Sequence, residues 1–292
     1  MTSFGWRFKC GGGPEALILL YHRVAELPSD PCLLCVTPER FAEQMEILMR
    51  HTHPLRLQEL IRAVQENRSL PSRSVVVTFD DGYADNLSHA KPLLERFGIR
   101  ATVFVTAGYL EGSREFWWDE LERLVSQKSS YWSFYHRLRR REEGERQAVL
   151  NGLRDRAEVE SLARPTHRIL SPEELLSLAE GEWIEIGAHS MTHPVLSNLP
   201  VSAQWEEIRQ SKNRLEEILG SSIKSFAYPY GSRQDYSDDT VQLVREAGFE
   251  SACSNFSGLT RSGKDLFQLP RMIVRDWNGE DFNRLLEKWF GG

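Results

Sequence analysis

Val75-Val76-Val77-Thr78-Phe79-Asp80-Asp81-Gly82-Tyr83-Ala84-Asp85-Asn86 is the stretch from which the rest of the chain is read. Five β-branched and aromatic residues run into two adjacent carboxylates and a glycine, the pattern of a buried strand that ends at a site. On a continuing strand Asp80 and Asp81 would point to opposite faces. Both reach one pocket only if the strand breaks there, which Gly82 permits. Two neighbouring carboxylates repel, and a fold keeps such a pair only with a cation between them or with their pKa values driven apart. A metal is the simpler expectation.

A second strand-like run, Trp183-Ile184-Glu185-Ile186-Gly187-Ala188, ends in His189, with His193 four positions later and Pro194 closing the segment. A spacing of four puts both imidazoles on one side of a helical turn. One carboxylate and two imidazoles leave positions on a divalent ion open for water or substrate, as a catalytic site requires. On its own the H-x-x-x-H spacing suits a pair of surface histidines equally well, and the strand-terminal Asp80-Asp81-Gly82 is what tips the reading to a metal site.

Thr78-Phe79-Asp80-Asp81-Gly82, then His189-Ser190-Met191-Thr192-His193, then Phe226-Ala227-Tyr228-Pro229-Tyr230-Gly231 resemble, in that order, the motifs of the polysaccharide deacetylase family, the NodB-homology or carbohydrate esterase 4 type. The resemblance runs from about Leu17 to the C-terminus. It implies an α/β fold, a distorted seven-stranded (β/α) TIM-like barrel, forming a single domain over residues 1–292. It implies a divalent metal, expected to be Zn2+, held by Asp81, His189 and His193, with metal-bound water as the nucleophile. Asp80 takes the position of the general base, and Tyr230 the position whose backbone N–H faces the developing oxyanion. The implied activity is that of a carbohydrate N-deacetylase, a hydrolase of linear amide C–N bonds. Its substrate would be an N-acetylated sugar precursor or glycoconjugate. Read in isolation, Tyr-Pro-Tyr-Gly is an ordinary proline turn.

Three departures from the family pattern stand out. Ala227 occupies the place where the third motif usually has an arginine that orients the base, and Arg271 in Leu269-Pro270-Arg271 is the candidate replacement. The family's late Leu-x-His is absent, because no histidine follows His193. His22, at the end of the apolar run Leu17-Ile18-Leu19-Leu20-Tyr21, is therefore the candidate general acid. Asp276-Trp277 resembles the Asp-Trp of a fourth motif only weakly.

Elsewhere the chain alternates strands and helices, as parallel α/β folds do. Thr37-Pro38-Glu39 supplies a cap and a proline at the first helical position for a helix to about Met49, with Phe41, Met45 and Leu48 on one face. Further helices are expected over about 57–65, 86–97 and 238–247. Ser171-Pro172-Glu173-Glu174 opens another, and the stripe Trp205, Ile208, Leu215, Ile218 and Leu219 belongs to one closed by Gly220. Seven candidate strands result. His22, Asp80, Asp81, His189 and Tyr230 each follow an apolar run, where the active residues of a barrel sit. The rhythm fails between about 112 and 170, read as a helical insertion above the barrel. Its Trp117, Leu121 and Leu124 have the spacing of a packed helix face, although its many aromatics also suit stacking on sugar rings.

With 292 residues, 40% of them hydrophobic, the chain can bury a substantial core. A net charge of −6 argues against nucleic acid or an anionic membrane surface as the main partner. No apolar run reaches the length of a membrane span, and residues 1–13 lack the apolar core of a signal peptide. The expectation is a cytoplasmic protein, which shifts the substrate toward a nucleotide-linked, lipid-linked or free N-acetylated sugar. Of the four cysteines, Cys10, Cys32, Cys35 and Cys253, the Cys32-x-x-Cys35 pair has redox or zinc spacing. With no second ligand pair nearby it reads as reduced thiols in a loop. Two other functions remain open: a carbohydrate-binding homologue that has lost turnover, and a deformylase or other C–N hydrolase on a small or lipid-linked sugar. A phosphatase with Asp80 as nucleophile is disfavoured, because such sites use Asp-x-Asp and gain nothing from the histidines.

Overall fold

The computed structural model describes residues 15–110, 114–125, 128–157 and 163–291, so the N-terminal reading and Cys10 lie outside the described residues. The strands, in chain order, are β1 Glu15–Tyr21, β2 Arg23–Val24, β3 Cys35–Val36, β4 His53–Leu55, β5 Ser74–Phe79, β6 Ala101–Val105, β7 Ile184–Ala188, β8 Ser225–Ala227, β9 Ser251–Cys253, β10 Thr260–Arg261 and β11 Met272–Ile273. Nine form one curled sheet in the order β10-β1-β5-β6-β7-β8-β9, with β4 beside β5 and β11 beside β1. From β1 through β9 along that path every pairing is parallel. A bridge from Cys253 to Leu269 and the β1–β11 pairing carry the sheet from β9 back to β1. The result is the expected distorted (β/α) barrel. Its ring uses the seven expected strands. The two additional members, β4 (His-Pro-Leu) and β10 (Thr-Arg), lie in no apolar run that would signal a strand.

Alternation along the strands separates two cores. Ala16, Ile18, Val76, Phe104, Ala227, Cys253 and Leu269 fill the barrel interior, whereas Leu17, Leu19, Val75, Val77, Val103 and Ile186 pack outward against the helices. Gly187 on β7 is glycine because the Phe104 ring fills the space beside it. A Cβ there would lie 2.4 Å from Phe104 Cδ1.

Several helices begin or end at caps. Thr37 accepts from Arg40 N–H at the start of helix Pro38–His51, which buries Phe41, Met45 and Leu48, and Ser171 and Glu174 form a capping box. Gly98 and Gly220 close their helices in the left-handed conformation. After β5 the expected helix is split. Its first turn, Asn86–Ala90, is π-helical, and α-helix follows over Lys91–Phe97. Within that wide turn the Asn86 amide donates to the His22 carbonyl, tying the end of β1 to the end of β5.

Helices Trp117–Leu124, Lys128–Leu138 and Glu143–Ala157 share an apolar cluster built on Tyr83, Tyr109, Phe116, Trp117, Leu121 and Leu150. Trp117 and Leu121 are buried and Leu124 partly so, as the helical spacing implied. Cys32, Cys35 and Cys253 are free thiols, with burial raising each of them.

Candidate active site

Asp80 continues the inward alternation of Val76 and Thr78, and Asp81 would turn outward were the strand to continue. Instead Asp81 itself takes φ +78° and Gly82 φ +85°, so the break falls one residue earlier than the glycine alone implied. Both carboxylates are buried and line one cavity of about 300 Å3. His193 (φ +56°) and Tyr230 (φ +59°), which line the same cavity, are also left-handed, as is Ser190 (φ +62°) next to His189. Such conformations cost about 1–3 kcal/mol each in non-glycine residues and persist where the surroundings over-determine them. Their concentration here marks a built site.

His189 donates from Nδ1 to the Ala227 carbonyl at 2.8 Å, which fixes its tautomer and leaves the Nε2 lone pair toward the cavity. That Nε2 lies 3.6 Å from Asp81 Oδ1, and His193 Nε2 lies 3.4 Å from the same oxygen. One ligand atom from each of Asp81, His189 and His193 can be chosen so that all three fall within 4.8 Å of one another. Burial lowers both histidines, His193 well below the usual range, so both rest as neutral imidazoles. Burial, then Asp80 and Asp119, pushes the Asp81 carboxyl well up. Its Oδ1 is buried without a hydrogen-bond partner, an arrangement that is costly unless something else satisfies it. Two neutral imidazoles and an orphaned carboxylate oxygen fit a divalent cation, which would also reverse the upward shift of Asp81.

Asp80 is treated differently by its surroundings. Arg271 grips it with both terminal nitrogens, Nη1 to Oδ1 and Nη2 to Oδ2 at 2.7 Å each. The guanidinium is itself buried inside the barrel, where it also donates to Thr78 Oγ1 and the Ser254 carbonyl. Burial raises the Asp80 carboxyl, but Arg271 and then His189 outweigh it and hold the group below its ordinary value. Two adjacent carboxylates are thus driven apart in acidity.

The His189–His193 turn is held from two sides. Ala107 and Gly108 donate their backbone N–H groups to the carbonyls of Ser190 and Met191. Glu207, from helix Val201–Leu219, accepts from the N–H groups of Met191 and Thr192 at 2.9 and 2.8 Å and from Thr192 Oγ1 at 2.7 Å. The His193 ring is packed edge-on against Trp118 and Tyr230, with centroids 4.8 and 4.6 Å away.

The structure brings His22, Asp80, Asp81, His189, His193 and Tyr230 to one cavity wall and sets Arg271 directly beneath it. Burial lowers His22 to about 4 despite the opposing pull of Asp80. The backbone N–H of Tyr230 donates to no group among the described residues, while its carbonyl accepts from Asn255 Nδ2. Asp276 is not part of the site; it accepts from the backbone N–H and hydroxyl of Thr37 at the surface. Trp118, Trp132 and Tyr135 of the helical segment do line the cavity, so that segment both packs and faces the site.

Sequence reasoning missed Glu207 and the Ala227 carbonyl, whose contribution does not depend on side-chain type. It also missed the Arg139–Asp235 pair at the rim, 2.5 Å apart. Ser232-x-x-Asp235 carried a readable signal, since Asp235 Oδ2 accepts from both the N–H and the hydroxyl of Ser232.

The sequence profile of the polysaccharide deacetylase family matches residues 67–252. The poly-beta-1,6-N-acetyl-D-glucosamine N-deacetylase of Staphylococcus epidermidis is 24% identical, with 95% of this chain and 84% of that protein covered. Among solved structures, IcaB from Ammonifex degensii is similar with a TM-score of 0.68 at 22% identity, over 97% of this chain and 98% of that one. Streptococcus pyogenes deacetylase PplD, in complex with acetate, is similar with a TM-score of 0.68 at 19% identity, over 94% and 99%. At these identities the structural likeness speaks for the barrel. The family profile, which takes in well over half the chain, carries the assignment: this protein belongs to the polysaccharide deacetylase family.

Proposed function

We propose that this protein is a metal-dependent N-deacetylase that hydrolyses the acetamide of an amino-sugar substrate, a sugar precursor or a glycoconjugate. The observation that carries the reading is the orphaned Asp81 Oδ1 facing two neutral imidazoles, beside a second carboxylate that Arg271 keeps ionised. Asp81, His189 and His193 would hold the cation. A divalent ion there, zinc by its donor set, supplies Lewis acidity that acidifies water and polarises a carbonyl.

The remaining tasks fall to this chain's own groups. Asp80, ionised and facing the cavity, is the base that takes a proton from the attacking water. Arg271 acts through Asp80, fixing its orientation with a two-point grip. The free N–H of Tyr230 is available to the oxygen on which charge develops. His22 rests neutral, so it protonates the leaving amine only after receiving a proton, the one that Asp80 takes from the attacking water. The name of the Staphylococcus epidermidis relative supports acetamide as the scissile group and a β-linked amino sugar as its setting.

The test is release of acetate from a panel of N-acetylated sugars by metal-loaded protein. Turnover should stop with a chelator, and Asp80→Asn should lower it by about 10²–10⁴-fold with metal content unchanged. Formate from an N-formyl sugar, without acetate, would favour the deformylase reading. Saturable sugar binding with no product would favour a binding homologue.

A further inference from the structure

Around the cavity none of the acidic groups is paired with Arg275. Asp80 is held by Arg271, Asp81 faces the imidazoles, and Asp235 is taken by Arg139 and Ser232. Arg275 is the exception among the cations of the wall: it has no carboxylate partner among the described residues. Its Nη1 donates to the backbone carbonyls of Cys32 and Leu33, and its Nε and Nη2 donate to nothing in the described chain. Asp30, whose charge it feels, spends both carboxylate oxygens on the N–H groups of Leu34 and Cys35. The guanidinium is half-buried, and burial draws it down from its ordinary value, as expected of a cation left uncompensated.

Its position is defined by the sheet. Arg275 follows β11, which pairs with β1, so it stands beside His22 on the β1–β11 wall. Tyr230 follows β8, two ladders away across β9 and the 269–273 segment. A substrate whose acetamide lies between the imidazoles and Tyr230 shares the cavity with Arg275, which is placed to meet one of its other substituents. Two carbonyls pin one edge of the planar fork, which leaves the other edge preorganised for a two-oxygen acceptor.

We propose that Arg275 determines specificity by reading an oxyanion substituent, a phosphate or a carboxylate, on the N-acetylated sugar. The proposal rests on the amino-sugar reading above for its substrate class but concerns recognition, not hydrolysis.

The test is calorimetric binding of three probes to the intact chain: N-acetylglucosamine, N-acetylglucosamine 1-phosphate and N-acetylmuramic acid. The last two separate phosphate from carboxylate. Wild type should bind at least one anionic probe about tenfold more tightly than the neutral sugar, as a charge-assisted hydrogen bond gives. In Arg275→Gln that preference should vanish while neutral-sugar affinity stays unchanged, and Arg275→Lys should restore part of it. In wild type alone the preference should shrink as sodium chloride rises, which keeps the proposal exposed even if a variant fails to fold. Equal wild-type affinity for all three probes would overturn it. So would an equal loss for all three in Arg275→Gln, the mark of a purely structural role in holding the Cys32–Leu33 loop. An anion preference that depends on Arg275 without any acetate release would support the proposal and remove the deacetylase reading instead.

Discussion

At the scale of single residues, the site rests on two adjacent carboxylates given opposite characters. Arg271 is buried against Asp80, so its removal leaves a buried charge unpaired. Arg271→Met should cost about 3–5 kcal/mol in urea unfolding, and Arg271→Lys should not recover the two-point grip. An unchanged midpoint in Arg271→Met would show that Asp80 does not depend on Arg271 to stay ionised. His22 gives a pH dependence with a definite sign. Its folded value of about 4 lies below the ordinary 6.5, so the unfolded chain binds more protons between those limits. Stability of the metal-free protein is thus lost as pH falls from 6.5 to 4, and His22→Asn should remove up to one proton from that slope, about 1.4 kcal/mol per pH unit. Unfolding curves of the two proteins across that range make the comparison. Asp80, Asp81 and His189 were legible because each sits where an apolar run stops, and His193 because it stands four positions after His189. Arg271 was legible only as a candidate, because nothing in Leu269-Pro270-Arg271 says that the side chain enters the barrel.

At the scale of elements, the turn from His189 to His193 depends on a helix that contributes no ligand. Glu207 satisfies two backbone donors and one hydroxyl of a turn that contains two left-handed residues, Ser190 and His193. Glu207→Ala should leave the barrel folded and weaken metal binding by about 10–100-fold, as loss of an outer partner does in other metal sites. Competition against a zinc-sensitive dye reads this directly, and unchanged affinity would show that Gly108 and Ala107 hold the turn without help. No sequence pattern links Glu207 to that turn. It lies on a helix whose apolar stripe was readable, but the contact is set by how the helix packs. The seven ring strands were readable by contrast, since even the short ones lie in longer runs with apolar residues, β9 within Phe249 to Cys253 and β11 within Leu269 to Val274.

At the scale of the whole molecule, the barrel gathers residues more than a hundred positions apart into one cavity, and the segment from Trp117 to Ala157 covers part of it. The gathering was foreseeable from the rule that barrel strands deliver active residues at their carboxyl ends. The insertion was read as lying above the barrel, but which of its side chains line the cavity was not legible, because helical spacing says which face of a helix is buried and not against what. Trp132 and His136 illustrate this: stacked on each other at the cavity rim, they belong to a helix with no strong apolar stripe in its sequence. We propose that this assembly holds one divalent cation. Metal content of the purified, zinc-exchanged protein, measured by elemental analysis against chain concentration, tests it most directly. About one ion per chain is expected in wild type and almost none in folded Asp81→Asn and His189→Ala proteins. A wild-type chain that stays empty at saturating zinc, or an Asp81→Asn chain that loads as wild type does, would contradict it.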